Sequence, residues 1–246
     1  EIYFNGIGLH TGKECTLKLL PASENHGIKF FIKHENKVVC IPATIDYVNS
    51  TIRGTNLYKD NISIFTVEHL LSALYALDID NLIVEVSSNE LPILDGSSKI
   101  FLEKIKKNGI KIQQKKRQEF IINKIISFKS SKGIKFYLIP SETYQFTYYL
   151  NYKNIDFLKQ IFSIKLENNN YEKEISDSKT FCLLSELLAL HENGLIKGGS
   201  LDNALVYIDQ KINSKQQELL NKIFKNKIKI NYSNKIINNV NFKDEK

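Results

Sequence analysis

A glutamate and a histidine stand side by side in the segment Thr66-Val67-Glu68-His69-Leu70-Leu71-Ser72-Ala73-Leu74-Tyr75-Ala76-Leu77. A carboxylate can take a proton from water, and an imidazole can hold a metal ion. Together they suit hydrolysis of a bond that is stable in water. Apolar residues at Val67, Leu70, Leu71, Leu74 and Leu77 recur at the spacing of a buried helical face, which predicts a helix over 66–77. Successive helical side chains diverge by about 100°, so Glu68 and His69 cannot both face the core. With Thr66 as the expected N-cap, the pair falls in the first turn, where a strand-to-helix junction opens onto a surface. Spacing by itself favours the plainer account, a first-turn Glu held by the helix dipole beside a packed imidazole.

The elements that must position this pair follow from the pattern around it. Residues 14–20 alternate as a strand, and Gly27-Ile28-Lys29-Phe30-Phe31-Ile32 reads as a second. Leu82–Val86 is a strand directly after the first helix. Asn89-Glu90-Leu91-Pro92-Ile93-Leu94-Asp95-Gly96-Ser97-Ser98 then leads into an amphipathic helix from Lys99 to Asn108, with Gly109 as its C-terminal stop. A second cycle brings strands at 120–128, 135–138 and 147–152, a helix from Cys182 to Glu192, a strand at 204–208 and a short helix at 216–224. Both cycles run strands first and helix second. This predicts an α+β protein of two domains, residues 1–112 and 118–246, joined by a solvated basic linker around Lys115-Lys116-Arg117.

The bulk composition narrows the class. At 246 residues, 42% hydrophobic and 25% charged, the chain is that of a globular protein. No apolar run is long enough to span a bilayer, and the N-terminus lacks a signal-peptide pattern. Three cysteines without a Cys-x-x-Cys favour reduced thiols and a cytoplasmic setting. The net charge of +7 comes almost wholly from lysine spread along the chain, not from the basic-aromatic patch that nucleic-acid binding wants. An anionic substrate or membrane surface suits it. There is no methionine, even at position 1, which reads as a fragment or a processed chain.

Two glycine clusters, Asn5-Gly6-Ile7-Gly8-Leu9-His10-Thr11-Gly12 and Gly198-Gly199-Ser200, stand apart from the phosphate-loop pattern, since Gly12-Lys13-Glu14 leads into a strand. Alone they read as tight turns. In order along the chain, however, GIGLHTGK, PASENHGIKF, FTVEHLLSALYALDIDNLIVEV, NELPILDGSS, SKTFCLL and NGLIKGGSLDNALV resemble one family. It is the UDP-3-O-acyl-N-acetylglucosamine deacetylases, the zinc amidases of lipid A biosynthesis in Gram-negative bacteria.

The resemblance implies two α/β sandwich domains of related topology, the second incomplete here. It implies His69 as a zinc ligand, Glu68 as the general base and Thr180 as the hydroxyl that steadies the oxyanion. Phe181, Lys135, Leu9, Gly199 and Ser200 match substrate-side positions, and residues 182–206 match an inserted strand–helix–strand that forms an apolar passage for the acyl chain. The implied substrate is a UDP-linked, acylated amino sugar, handled by a cytoplasmic monomer touching the inner membrane at most peripherally. His10 is expected to be structural.

The pattern stops short at the end of the chain. The family's remaining zinc ligands lie in a His-Lys-x-x-Asp motif and its general acid is a later histidine, yet the last histidine here is His191. Those ligands are expected beyond Lys246. A single histidine cannot make a catalytic zinc site, which needs three protein ligands. The chain as it stands is therefore expected to be inactive, as a fragment of an active enzyme or as a degenerate homologue retaining only nucleotide-sugar or protein binding.

Overall fold

A computed structural model describes residues 1–131, 133–151, 159–167, 169–192, 205–207, 213–223 and 236–237. By proximity the chain forms two units, Glu1–Ile110 with Ser176–Lys246, and Lys111–Ile175. Helices and sheets are both present, as expected of an α+β protein.

The first unit opens with β1 (Ile2–Ile7), β2 (Glu14–Pro21), β3 (Ile28–His34), β4 (Lys37–Pro42), β5 (Val48–Ser50), β6 (Asn56–Lys59) and β7 (Ile62–Ile64). Helix α1 (Glu68–Ala76), strand β8 (Leu82–Val86) and helix α2 (Lys99–Asn108) follow. Five strands pair in the order β1-β2-β8-β3-β4. The β3–β8 pair is parallel and the others antiparallel. The register sets Leu17 opposite Val86, and both Leu19 and Phe30 opposite Val84. Alternation then sends all of these to one buried face.

Against the core α1 buries Leu70, Ala73 and Leu74, and α2 buries Phe101, Leu102 and Ile105. The Phe101 ring lies 4.9 Å from that of Phe4, which ties α2 to β1. Burial of each such large side chain contributes about 1.5–3 kcal/mol. Gly109 ends α2 at φ +82, a conformation that suits a residue without Cβ.

The second unit holds β9 (Ile126–Lys129), β10 (Lys135–Leu138), β11 (Gln145–Leu150), β12 (Gln160–Lys165) and the short α3 (Asn170–Glu174). The strands form two antiparallel pairs, β9–β10 and β11–β12. Regular pairing is confined to the end of the strand expected over 120–128. Many large apolar side chains here are exposed, among them Phe128, Phe136, Tyr148 and Tyr149.

The chain then returns to the first unit with β13 (Phe181–Leu183), α4 (Leu184–Glu192), β14 (Leu205–Tyr207), α5 (Ser214–Ile223) and β15 (Ile236–Ile237). Strands β13 and β14 are parallel, Cys182 opposite Val206, with α4 between them in sequence. This is the strand–helix–strand expected over 182–206, although Cys182 itself belongs to the strand and the helix starts at Leu184.

The division expected from the sequence is 1–112 and 118–246; by proximity, Ser176–Lys246 groups with Glu1–Ile110. The reason is apolar burial. Leu184, Leu187, Leu188 and Leu190 of α4 form one cluster with Val206, Leu220, Leu9 and Ile93. Among the described residues, no helix is long and apolar enough to cross a membrane.

Candidate active site

The junction between β7 and α1 carries the acid–imidazole pair. Helix α1 begins at Glu68, one turn-position later than the capping pattern predicts. Thr66 is not its cap. It sits in the left-handed region at φ +60, 2% exposed, and its hydroxyl donates to Glu90 Oε1 at 3.2 Å. The buried carboxylate of Glu90 has taken the group that the helix end would have used.

Thr55 secures the first turn instead, through both of its backbone groups. Its carbonyl accepts the Val67 N–H at 3.2 Å, and its N–H donates to Glu68 Oε2 at 2.8 Å. Glu68 thus keeps one oxygen occupied, while Oε1 lies 4.0 Å from His69 Nε2. Its side chain is 36% exposed and that of His69 only 16%. Burial pushes the His69 imidazole below its ordinary pKa, opposed in part by the charges of Glu68 and Asp95. A neutral ring with an available lone pair at neutral pH is what metal ligation or electrophile binding needs.

Asp95 belongs to the loop that precedes α2. Burial raises its pKa, but hydrogen bonds from Lys179 and Ser97 outweigh this and hold the carboxyl below the usual range. Lys179 Nζ donates to Asp95 O at 2.6 Å and to Oδ2 at 2.9 Å. The Ser97 hydroxyl sits 2.9 Å from each carboxylate oxygen. One residue beyond Lys179, the Thr180 N–H donates to Gly96 O at 2.7 Å. Thr180, half-buried, is therefore fixed to the loop whose charge acts on His69.

Behind the junction, Glu90 is fully buried. Besides the Thr66 hydroxyl it accepts the backbone N–H of His10 at 2.8 Å and of Thr11 at 2.7 Å. The first glycine cluster is thus a turn wrapped on a buried carboxylate, and a Cβ on Gly8 would run into Glu90 Oε2. His10 Nε2 lies 3.2 Å from Arg53 O, an arrangement in which the ring donates. Sequence reasoning missed Glu90, Asp95 and Lys179. The available signal for Glu90 was an acid flanked by Leu91, Pro92 and Ile93; for Asp95 and Lys179 there was none beyond their place in the motifs.

Among the expected substrate-side residues, Phe181 opens β13 with 37% exposure. Leu9 is buried in the apolar cluster with α4. Lys135 is exposed on β10 in the second unit, opposite Lys129. Gly199 and Ser200 lie outside the described residues.

The expected zinc has one candidate ligand here. No group of three His, Cys, Asp or Glu that could hold a metal occurs among the described residues.

A carboxylate and an imidazole thus stand together at a strand–helix junction of an α+β fold. A family sequence model described as UDP-3-O-acyl N-acetylglycosamine deacetylase matches residues 1–228, and the chain belongs to that family. A UDP-3-O-acyl-N-acetylglucosamine deacetylase of Thermodesulfovibrio yellowstonii is 39% identical over 211 residues, covering 86% of this chain and 71% of that protein. The one of Chlamydia pneumoniae is 38% identical over 223 residues, 88% of this chain and 77% of that protein. A bifunctional enzyme LpxC/FabZ of Chlorobaculum tepidum is 37% identical over 221 residues, 89% of this chain. The chain spans about half, 47%, of that bifunctional relative's length.

Proposed function

We propose that this chain contributes Glu68, His69 and Thr180 to the deacetylation of UDP-3-O-acyl-N-acetylglucosamine, releasing acetate and the free 2-amino sugar. The observation that carries the reading is the Glu68 carboxylate, anchored through one oxygen by the Thr55 N–H with the other turned toward His69. Fixed in this way, Glu68 takes the proton of the attacking water. The Thr180 hydroxyl donates to the amide oxygen as charge gathers on it. His69 offers one nitrogen to a zinc ion, which supplies Lewis-acid activation when bound. Phe181 is assigned the edge of the substrate, with Lys135, Gly199 and Ser200 as further substrate-side residues. Leu9 shapes the site from the core behind it. The setting proposed is a cytoplasmic monomer with at most peripheral membrane contact.

The test is acetate release from the UDP-linked substrate with zinc present, together with metal content after dialysis. Zinc bound one to one and lost on His69→Ala, with turnover lost on Glu68→Gln, supports the enzyme. A second reading is favoured by the incomplete ligand set among the described residues: a chain that binds the nucleotide sugar without hydrolysing it. Calorimetric binding of the substrate with no zinc retained and no acetate released would establish that reading and exclude catalysis by this chain alone.

A further inference from the structure

Residues 176, 177, 179 and 180 each contact the 95–99 segment. Ser98 Oγ donates to Ser176 O at 3.1 Å, and Lys99 Nζ lies 3.6 Å from Asp177 Oδ2. The Lys179 and Thr180 contacts with Asp95 and Gly96 complete the series. Leu94 lies in the left-handed region at φ +54, which side chains with a Cβ rarely adopt, and Gly96 follows at φ +83, which glycine adopts freely. Ser97, fully buried, orients the Asp95 carboxylate: its hydroxyl lies 2.9 Å from both oxygens and its N–H donates to Oδ1 at 3.2 Å.

The backbone bond from Thr180 to Gly96 fixes one atom and leaves rotation about it. A second anchor one residue earlier removes that freedom. Lys179 supplies it with a single ammonium that meets a carbonyl and a carboxylate oxygen of the same residue. Such partly exposed ion pairs add little to global stability, so the consequence is local geometry.

We propose that Lys179 is a positioning residue for Thr180: its grip on Asp95 holds the Thr180 hydroxyl in one place relative to the loop beside His69. This rests on the reading of Thr180 as the oxyanion donor. The variants are Lys179→Met and Lys179→Arg in the full-length protein, followed by melting, hydrogen exchange at the Thr180 amide, and kcat and KM for the UDP-linked substrate. K179M should melt within about 3 °C of the parent. Its Thr180 amide should exchange about tenfold faster, with kcat down about tenfold and KM within about twofold. K179R, which keeps charge and donors, should restore both.

Unchanged Thr180 exchange and kcat in a folded K179M would overturn the proposal, as would a K179R no better than K179M. If the parent releases no acetate, the deacetylase reading fails, while the exchange contrast between the two variants still decides the role of Lys179. If K179M does not fold, Lys179→Gln takes its place, and an unaltered Thr180 exchange rate there counts against the clamp.

Discussion

The backbone N–H of Thr55 donates to Glu68 Oε2 at 2.8 Å, so the acid of the pair is oriented by a residue thirteen positions upstream and not by its own helix. The carbonyl oxygen of a glutamine can accept the same bond.

Glu68→Gln should therefore unfold within about 1 kcal/mol of the parent. It should also remove a charge that raises the His69 pKa while leaving burial intact. The imidazole midpoint, followed by NMR, is expected below about 6.5 in the parent and lower still in the variant. A midpoint that rises on losing the carboxylate would contradict the electrostatic account of the pair.

Glu90 satisfies two amides of the 8–12 turn and the Thr66 hydroxyl from a fully buried position. Glu90→Ala leaves these donors without an acceptor in the interior. A loss of about 2–4 kcal/mol is expected by urea denaturation. Gly8→Ala should approach it, because a new Cβ would meet the Glu90 carboxylate and lie 2.8 Å from Thr11 Oγ1. Wild-type midpoints for both variants would show that the turn does not depend on this contact.

The Asp95 carboxyl is held below its ordinary pKa, so between the folded value and about 3.9 the unfolded chain binds more protons than the folded one. The stability this group adds is complete above about pH 4 and disappears as pH falls through the lowered folded value. Asp95→Asn cannot titrate. The stability gap between parent and variant should be widest near neutral pH and close progressively in acid. Urea midpoints measured down a pH series check it, and a gap independent of pH would refute the hydrogen bonds from Lys179 and Ser97 as its source.

Leu187 is fully buried in the cluster that joins α4 to Leu9 and Ile93. Leu187→Ala should cost about 2–5 kcal/mol, and should speed hydrogen exchange in β13 together with the 93–98 loop. Faster exchange confined to α4 would mean that 176–190 is not integral to the first unit.

Much of the local structure was legible in the sequence. Strand β8 and helix α2 fall on the residues the pattern marks, because alternation and helical spacing record which faces are buried. The place of Glu68 and His69 in the first turn of the helix was legible in the same way, since neighbouring helical positions cannot both turn inward. The start of α1 was not. Thr66 has the right chemistry for a cap, and nothing in its neighbourhood along the chain announces that Glu90, twenty-four residues later, competes for its hydroxyl.

The sequence by itself determined strand β8, helix α2 and the family blocks, and set an acid beside an imidazole, all of which depend on residues close along the chain. Only the tertiary structure decided what holds them. Thr55 orients Glu68, Glu90 seats the glycine turn, and Asp95 receives Lys179 from eighty-four residues away. Likewise α4 joins the first unit by burying leucines against Leu9 and Ile93. Polar groups leaving water take whichever partner the fold brings within reach, and that choice has no signature in sequence spacing.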